Sequence, residues 1–295
     1  MMDLLCIVGP TAVGKTRLSL ALAKHFDGEI ISGDAMQFYR GLDIGTAKAT
    51  QDEQKQVKHH LLDILEPNES YSVSEYQTLV RQTIKEIQFR GHLPILVGGS
   101  GLFIQSVIEN YQFKGEKRKE DDGLEAFSLT ELQNQLKEKN PLLFQSIDIK
   151  NKRRVIRALQ KKDSDIQKKR ELYYDDVCII GLNSDRQSLY ERINQRVYQM
   201  IDQGLIEEVH SLYDQEVKGQ SIKAIGYKEL YAHFDGKLSL EQAIEDIQKH
   251  SRHYAKRQLT WFRNKMDVTW FEVNLNDFNQ TIQEVQAYIK KTHKV

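Results

Sequence analysis

The chain has 295 residues, 40% hydrophobic and 28% charged, with only four prolines. That composition suits a globular protein with a sizeable core, in one large domain or two smaller ones, and argues against a disordered or membrane-embedded chain. Lysine plus arginine equals aspartate plus glutamate at 42 each, so net charge says nothing about nucleic acid and only the distribution of charge can.

The first predicted element is a buried strand, "LLCIV", over 4–8. It is too short for a signal sequence, and no stretch approaches the ~18 apolar residues a membrane span requires. Cys6 in this run and Cys178 in a later one read as buried, reduced thiols rather than a disulfide framework. A soluble, intracellular, cytoplasmic chain is therefore expected. The strand runs into "GPTAVGKT", where Gly9, Gly14, Lys15 and Thr16 match the phosphate-loop pattern in its required place between a strand and a helix. Pro10, Thr11, Ala12 and Val13 complete the loop. Its backbone N–H groups and the helix N-terminus are expected to cradle a polyphosphate, with Lys15 on the outer phosphate and the Thr16 hydroxyl on Mg²⁺. The motif names a phosphate and not a reaction.

A helix over 15–26 leads to a second strand, "EIIS", at 29–32. Asp34 lies just past its carboxyl end, on the sheet edge where open α/β folds bind ligands. Aspartate is also a favoured helix cap, so capping and catalysis compete for this residue. The following "GLDIGTAK", with Gly41, Gly45, Arg40 and Lys48, reads as a loop draped over a site. Further strands are expected at 60–64, 94–97, 178–182 and 268–273. Between the first two, a helix over 73–90 carries Ser72 as its N-cap and Gly91 just past its end. The run at 94–97 continues into "GGSG" and offers no carboxylate, where a nucleotide hydrolase would place a second acid. That suggests a phosphate that leaves rather than one that fuels.

After Leu102 the alternation breaks. Residues 113–175 hold the mixed-charge stretch "KGEKRKEDDG" and helical patterns, an apparent insertion before the strand series resumes. Long amphipathic helices are expected over 186–214 and 239–264. The expected fold is α/β: a phosphate-loop NTPase-like parallel sheet flanked by helices, formed by 1–112 and 176–295, with a helical insertion over 113–175. Two basic segments stand out. Between Lys150 and Arg170 there are ten basic residues and two acids, with Lys150, Arg153, Arg154, Arg157 and Lys161 on one flank and Val155, Ile156 and Leu159 on the other. Residues 249–266 carry six basic residues and no acid, with Lys249, Arg252, Lys256 and Arg263 opposite Ala255 and Phe262. Apolar-backed basic stripes fit RNA-phosphate binding, against the alternative of a solvated helix face. Arg192 and Arg196, one turn apart, face either phosphates or solvent.

"GPTAVGKT", "ISGDAMQFYRGLDIGTAK", "LVGGSGLFIQS", "AIGYKEL" and "SRHYAKRQLTWFRN" occur in this order. Together they resemble the tRNA dimethylallyltransferase (isopentenyl-tRNA transferase) family over nearly the whole chain, except 113–150. The resemblance implies transfer of a dimethylallyl group from its diphosphate to the N6 amine of adenosine 37, next to the tRNA anticodon. The phosphate loop would then hold a departing diphosphate, helped by Mg²⁺ on Thr16. It also implies that Asp34 takes the proton of the attacking amine. Ser100 stands where the family usually has threonine, which implies a catalytic hydroxyl hydrogen-bonded to the reacting centre, with a helix cap the alternative. Lys228 stands where many members have an arginine that helps hold diphosphate. The implied tRNA-contacting segments are Asp34, Ala35, Met36 and Gln37; then Arg153, Arg154, Val155, Ile156 and Arg157; then Lys223, Ala224, Ile225, Gly226, Tyr227 and Lys228. Arg252, Lys256 and Arg257 would add contacts from the last basic helix, and the insertion would meet the anticodon stem. Phe38, Tyr39, Phe103 and Tyr227 are candidates for a prenyl or base pocket, with core packing the alternative. No protein partner is implied and a monomer is expected. A small-molecule kinase and an ATP-binding RNA module share the loop and are the rival readings.

Overall fold

The computed structural model describes residues 2–111, 123–160 and 171–294. Six strands form one all-parallel sheet: β1 (Leu4–Val8), β2 (Gly28–Ser32), β3 (His59–His60), β4 (Leu93–Gly98), β5 (Val177–Asn183) and β6 (Thr269–Glu272), in the order β3-β2-β4-β1-β5-β6. Helices cover both faces, which is why central strands such as "LLCIV" are apolar at every position instead of alternating. Leu5 and Ile7 point to one face, packed with α1 (Lys15–His25) and α12 (Phe278–Thr292). Leu4, Cys6 and Val8 point to the other, packed with α3 (Val73–Phe89) and α4 (Gly101–Ile108). The Cys6 thiol is held protonated by burial, and burial likewise pushes Cys178 to about 12, so both act as small hydrophobes.

Local sequence explains the borders. Ser72 caps α3 with a reciprocal Glu75 capping box, and Gly91 takes φ 82° just past its end. The short helix α2 (Gln51–Gln56) starts on the same device at Thr50 and Glu53. The run expected as a strand at 60–64 supplies only His59–His60, because Leu61 (φ 62°) and Asp63 (φ 54°) turn left-handed and leave the sheet. The long helix expected over 186–214 is two, α8 (Arg186–Asp202) and α9 (Leu205–Asp214), divided at Gly204 with φ 100°. With α10 (Tyr227–Phe234) and α11 (Leu240–Lys265) they enclose a third apolar cluster around Tyr39, Val209, Tyr227 and Leu230.

The chain divides into two compact units, Met1–Tyr111 with Leu172–Val295, and Gln112–Glu171. Tyr173, Tyr174 and Asp175, given to the insertion by sequence, belong with the sheet: the Asp3 carboxylate accepts the Asp175 and Asp176 N–H groups. Within the second unit, α5 (Leu129–Lys139), α6 (Pro141–Ser146) and α7 (Lys152–Gln160) bury Leu132, Leu136, Val155, Ile156 and Leu159. The "KGEKRKEDD" stretch and Lys161 lie outside the described residues.

Candidate active site

The phosphate loop leaves β1 at its carboxyl edge. Gly9 has φ 144°, and a Cβ there would sit 2.7 Å from the Leu182 carbonyl oxygen of β5. Gly14, at φ 110°, is the N-cap of α1 and gives it no side-chain cap, while the first turn carries no acid. The helix start is thereby left to meet an anion. The Val13 side chain is buried in the core. Lys15 Nζ donates to the carbonyls of Gly9 (3.0 Å) and Pro10 (2.8 Å). Burial, then repulsion from Arg196, lowers its pKa to about 7, with Asp34 pulling the other way.

Asp34 lies one residue beyond Gly33, past the end of β2. It does not cap a helix: residues 35–38 are turns, and its Oδ1 accepts the Met36 N–H at 3.0 Å. Burial raises its pKa above the usual aspartate value, against that bond and the attraction of Lys15 and Arg196. Ser100 does sit at the N-cap of α4, but its hydroxyl makes no cap bond there. It accepts the Ala35 N–H instead, at 3.3 Å, which ties the "GGSG" turn to the Asp34 turn. Gln37 spends its side chain on the fold: its oxygen accepts the Ser32 hydroxyl, and its nitrogen donates to the carbonyls of Thr46 and Ala47.

A cavity of about 500 Å³ opens over the loop, lined by Thr11, Ala12, Gly14, Lys15 and Thr16 together with Asp34 and Gln37. Arg192 and Arg196 of α8 enter it. Arg192 Nε donates to the Ala12 carbonyl at 3.0 Å and Arg196 reaches the Thr11 hydroxyl at 3.4 Å. The solvated-face alternative for this pair is thus wrong. A second cavity of about 320 Å³ adjoins it through Thr11, Asp34, Arg196 and Tyr254. Apolar Ala35, Met36, Ile193, Val197, Met200 and Ile225 line it, with Ser100, Lys223, Ala224, Gly226, Lys228 and Arg257. Lys228, expected on the diphosphate, lines this second cavity, with Nζ 3.5 Å from Glu229 Oε1; Arg192 and Arg196 are the arginines over the phosphate loop.

The loop after Asp34 is pinned from two sides. Glu208 accepts the N–H groups of Asp43, Ile44 and Gly45 and the Tyr227 hydroxyl. Lys48, read as a cation of a loop draped over the site, is buried and donates to the Tyr39 carbonyl, Asp43 and Asp63. The aromatic candidates go to the core: Phe38 and Tyr39 are 1% exposed and Tyr227 is fully buried, while Phe103 packs against Phe38 and Tyr76.

On α7, Arg153, Arg154 and Arg157 are exposed, as is Lys150 just before it. Val155 and Ile156 are buried, so their place in the RNA-contacting segment is structural. On α11, Lys249, Lys256, Arg257 and Arg263 are exposed, whereas Arg252 bonds Asn194 at 2.6 Å. The same helix turns Tyr254 and Gln258 into the cavity over the loop. Neither was anticipated. The available signal was Gln258 itself, a polar residue at helical spacing between Ala255 and Phe262 on an otherwise apolar stripe.

Thr16 is exposed and lines the loop cavity. Among the described residues no group of three or more His, Cys, Asp or Glu is arranged to hold a metal. A threonine hydroxyl beside a phosphate site would suit a hard divalent cation that shares its remaining positions with phosphate oxygens and water. Among the described residues no helix is long and apolar enough to cross a membrane.

The IPP transferase family matches residues 37–265. A tRNA dimethylallyltransferase of Anoxybacillus flavithermus is 54% identical, over 96% of this chain and 95% of the relative. The crystal structure of a tRNA isopentenylpyrophosphate transferase from Bacillus halodurans superposes with a TM-score of 0.78 at 46% identity, covering 99% and 96% of the two chains. A eukaryotic dimethylallyltransferase acting on tRNA gives 0.83 at 26% identity, over 99% of this chain and 80% of that one.

Proposed function

The chain belongs to the IPP transferase family, and from that premise we propose that it moves a dimethylallyl group from dimethylallyl diphosphate to the N6 amine of adenosine 37 in tRNA. It is a tRNA prenyltransferase. The carrying observation is that one cavity joins the phosphate loop to a half-buried carboxylate, Asp34, and adjoins a partly apolar cavity.

In this reading the loop amides, Lys15, Arg192 and Arg196 hold the diphosphate and stabilise the charge that gathers on it as the allylic carbon–oxygen bond breaks. The N6 nitrogen forms the new bond to that carbon. Adenine's amine is a weak nucleophile because its lone pair is shared with the ring, and attack leaves it with a proton to lose. The Asp34 carboxylate accepts that proton, and diphosphate departs as the anion. Mg²⁺ held by Thr16 supplies further neutralisation of the diphosphate when bound. Ser100 braces the Asp34 turn, and Lys223, Lys228 and Arg257 line the side where an anticodon loop would deliver its base. A base must be splayed out of a loop before its amine is reachable, which suits the exposed cations of α7 and α11. Action on tRNA supports reading the protein as cytoplasmic.

The test is direct. Purified protein incubated with dimethylallyl diphosphate and unmodified tRNA should add one C5H8 unit to adenosine 37, read by mass spectrometry of nucleosides. Consumption of a nucleoside triphosphate in step with product, with the allylic donor ignored, would instead mark a kinase.

A further inference from the structure

Gln258 is 4% exposed and lies on the inner face of α11. Its Oε1 accepts the Thr11 N–H at 2.9 Å and its Nε2 donates to the Gly99 carbonyl at 3.1 Å. The partners dictate the orientation: a backbone N–H only donates and a carbonyl only accepts, so one side chain must offer both an acceptor and a donor. Gly99 has no Cβ, and one added there would run into the Gln258 amide. From Gly99 the contacts continue. Ser100 N–H donates to the Gly33 carbonyl at 3.3 Å, and Ser100 Oγ accepts the Ala35 N–H at 3.3 Å. The Tyr254 phenol interacts with both Gln258 and Ser100. A continuous path of short contacts thus runs from the phosphate loop through Gln258 to the two residues flanking Asp34.

We propose that Gln258 is a positioning residue for the transfer step: it holds Thr11 of the phosphate loop and the Gly99–Ser100 turn in the spacing that aims Asp34 and the departing diphosphate at one carbon. The inference rests on the prenyl-transfer reading for its substrates. It also says that the Thr11 N–H is spent on Gln258, so the anion-binding amides are those later in the loop. Gln258 touches no reacting atom. Its loss should act on geometry, which governs kcat, more than on the charges of Lys15, Arg192 and Arg196, which govern donor binding.

Two variants separate this role from mere packing. Gln258→Met keeps the volume and removes both bonds. It should lower kcat by about tenfold or more, with KM for dimethylallyl diphosphate within about twofold of wild type. Gln258→Glu turns a carboxylate oxygen against the Gly99 carbonyl, but its protonated form restores one donor and one acceptor. Its activity relative to wild type should therefore climb as pH is lowered from 8 to 6. Its melting-temperature deficit should shrink over the same range, because a carboxyl whose folded pKa is raised is stabilised on the acid side. A flat activity ratio across pH overturns the proposal, as does a Gln258→Met enzyme with wild-type kcat. If Gln258→Met does not fold, the pH series decides alone. A wild-type protein that transfers no five-carbon group sinks the prenyl-transfer reading, and the melting series still reads the clamp.

Discussion

Lys15 enters binding with its charge suppressed. Burial and Arg196 hold its pKa near 7, against the ordinary lysine value of 10.5, while a diphosphate brings two or more negative charges to it. Reversing that shift needs roughly 5 kcal/mol. One lysine–phosphate pair at ~4 Å is worth ~4 kcal/mol at an effective dielectric near 20, so two phosphates suffice. At pH 8.5 the free enzyme should carry ~3% of Lys15 charged and the complex nearly all of it, so binding takes up about one proton. Donor affinity should then fall by up to about tenfold per pH unit above 7. The assay is calorimetry of dimethylallyl diphosphate binding without tRNA, at pH 8.5, in two buffers of different ionisation enthalpy. Wild type should show close to one proton more than Lys15→Met, which subtracts the ligand's own protons. Equal uptake by the two proteins would refute the reasoning, because Lys15 would then be charged before the anion arrives.

Asp34→Asn keeps an oxygen for the Met36 N–H and so should keep the turn, yet lose ~10²–10⁴ in kcat with little change in donor KM. The acid limb of the wild-type kcat/KM profile should lie above the ordinary aspartate pKa, since burial raises Asp34, and should vanish in this variant. Gly14→Ala forces a side chain onto φ 110° and a Cβ 2.5 Å from the Phe278 ring. It should cost ~1–3 kcal/mol in strain alone and abolish donor binding, read by melting and calorimetry. Replacing Arg153, Arg154 and Arg157 with glutamine should leave donor affinity unchanged. The slope of log tRNA affinity against log salt should flatten by roughly 0.7–0.9 for each phosphate contact removed.

The chain itself determined the pieces whose signals are local. The apolar runs at 4–8, 29–32, 94–97 and 178–182 become strands because continuous burial needs no partner information to be recognised. The phosphate loop and the Ser72 capping box are legible because a few adjacent residues must satisfy a few adjacent backbone groups. Asp34 was visible as a candidate, but whether it capped a helix was not: that depended on residues 35–38 forming turns held by Gln37 and the distant Thr46 and Ala47 carbonyls.

Only the tertiary structure decided which charges face the site. Arg192 and Lys228 look alike in sequence; α8 turns one over the phosphate loop, and α10 sends the other to the adjoining cavity. Lys48 reads as one cation of a polar loop and is that loop's buried anchor, because Asp43 and Asp63 arrive from either side to neutralise it. Gln258 meets Thr11, 247 residues away, and no local pattern encodes that contact. A backbone shape is specified by neighbours along the chain, but the desolvation and pairing of a side chain are set by whichever segments fold against it.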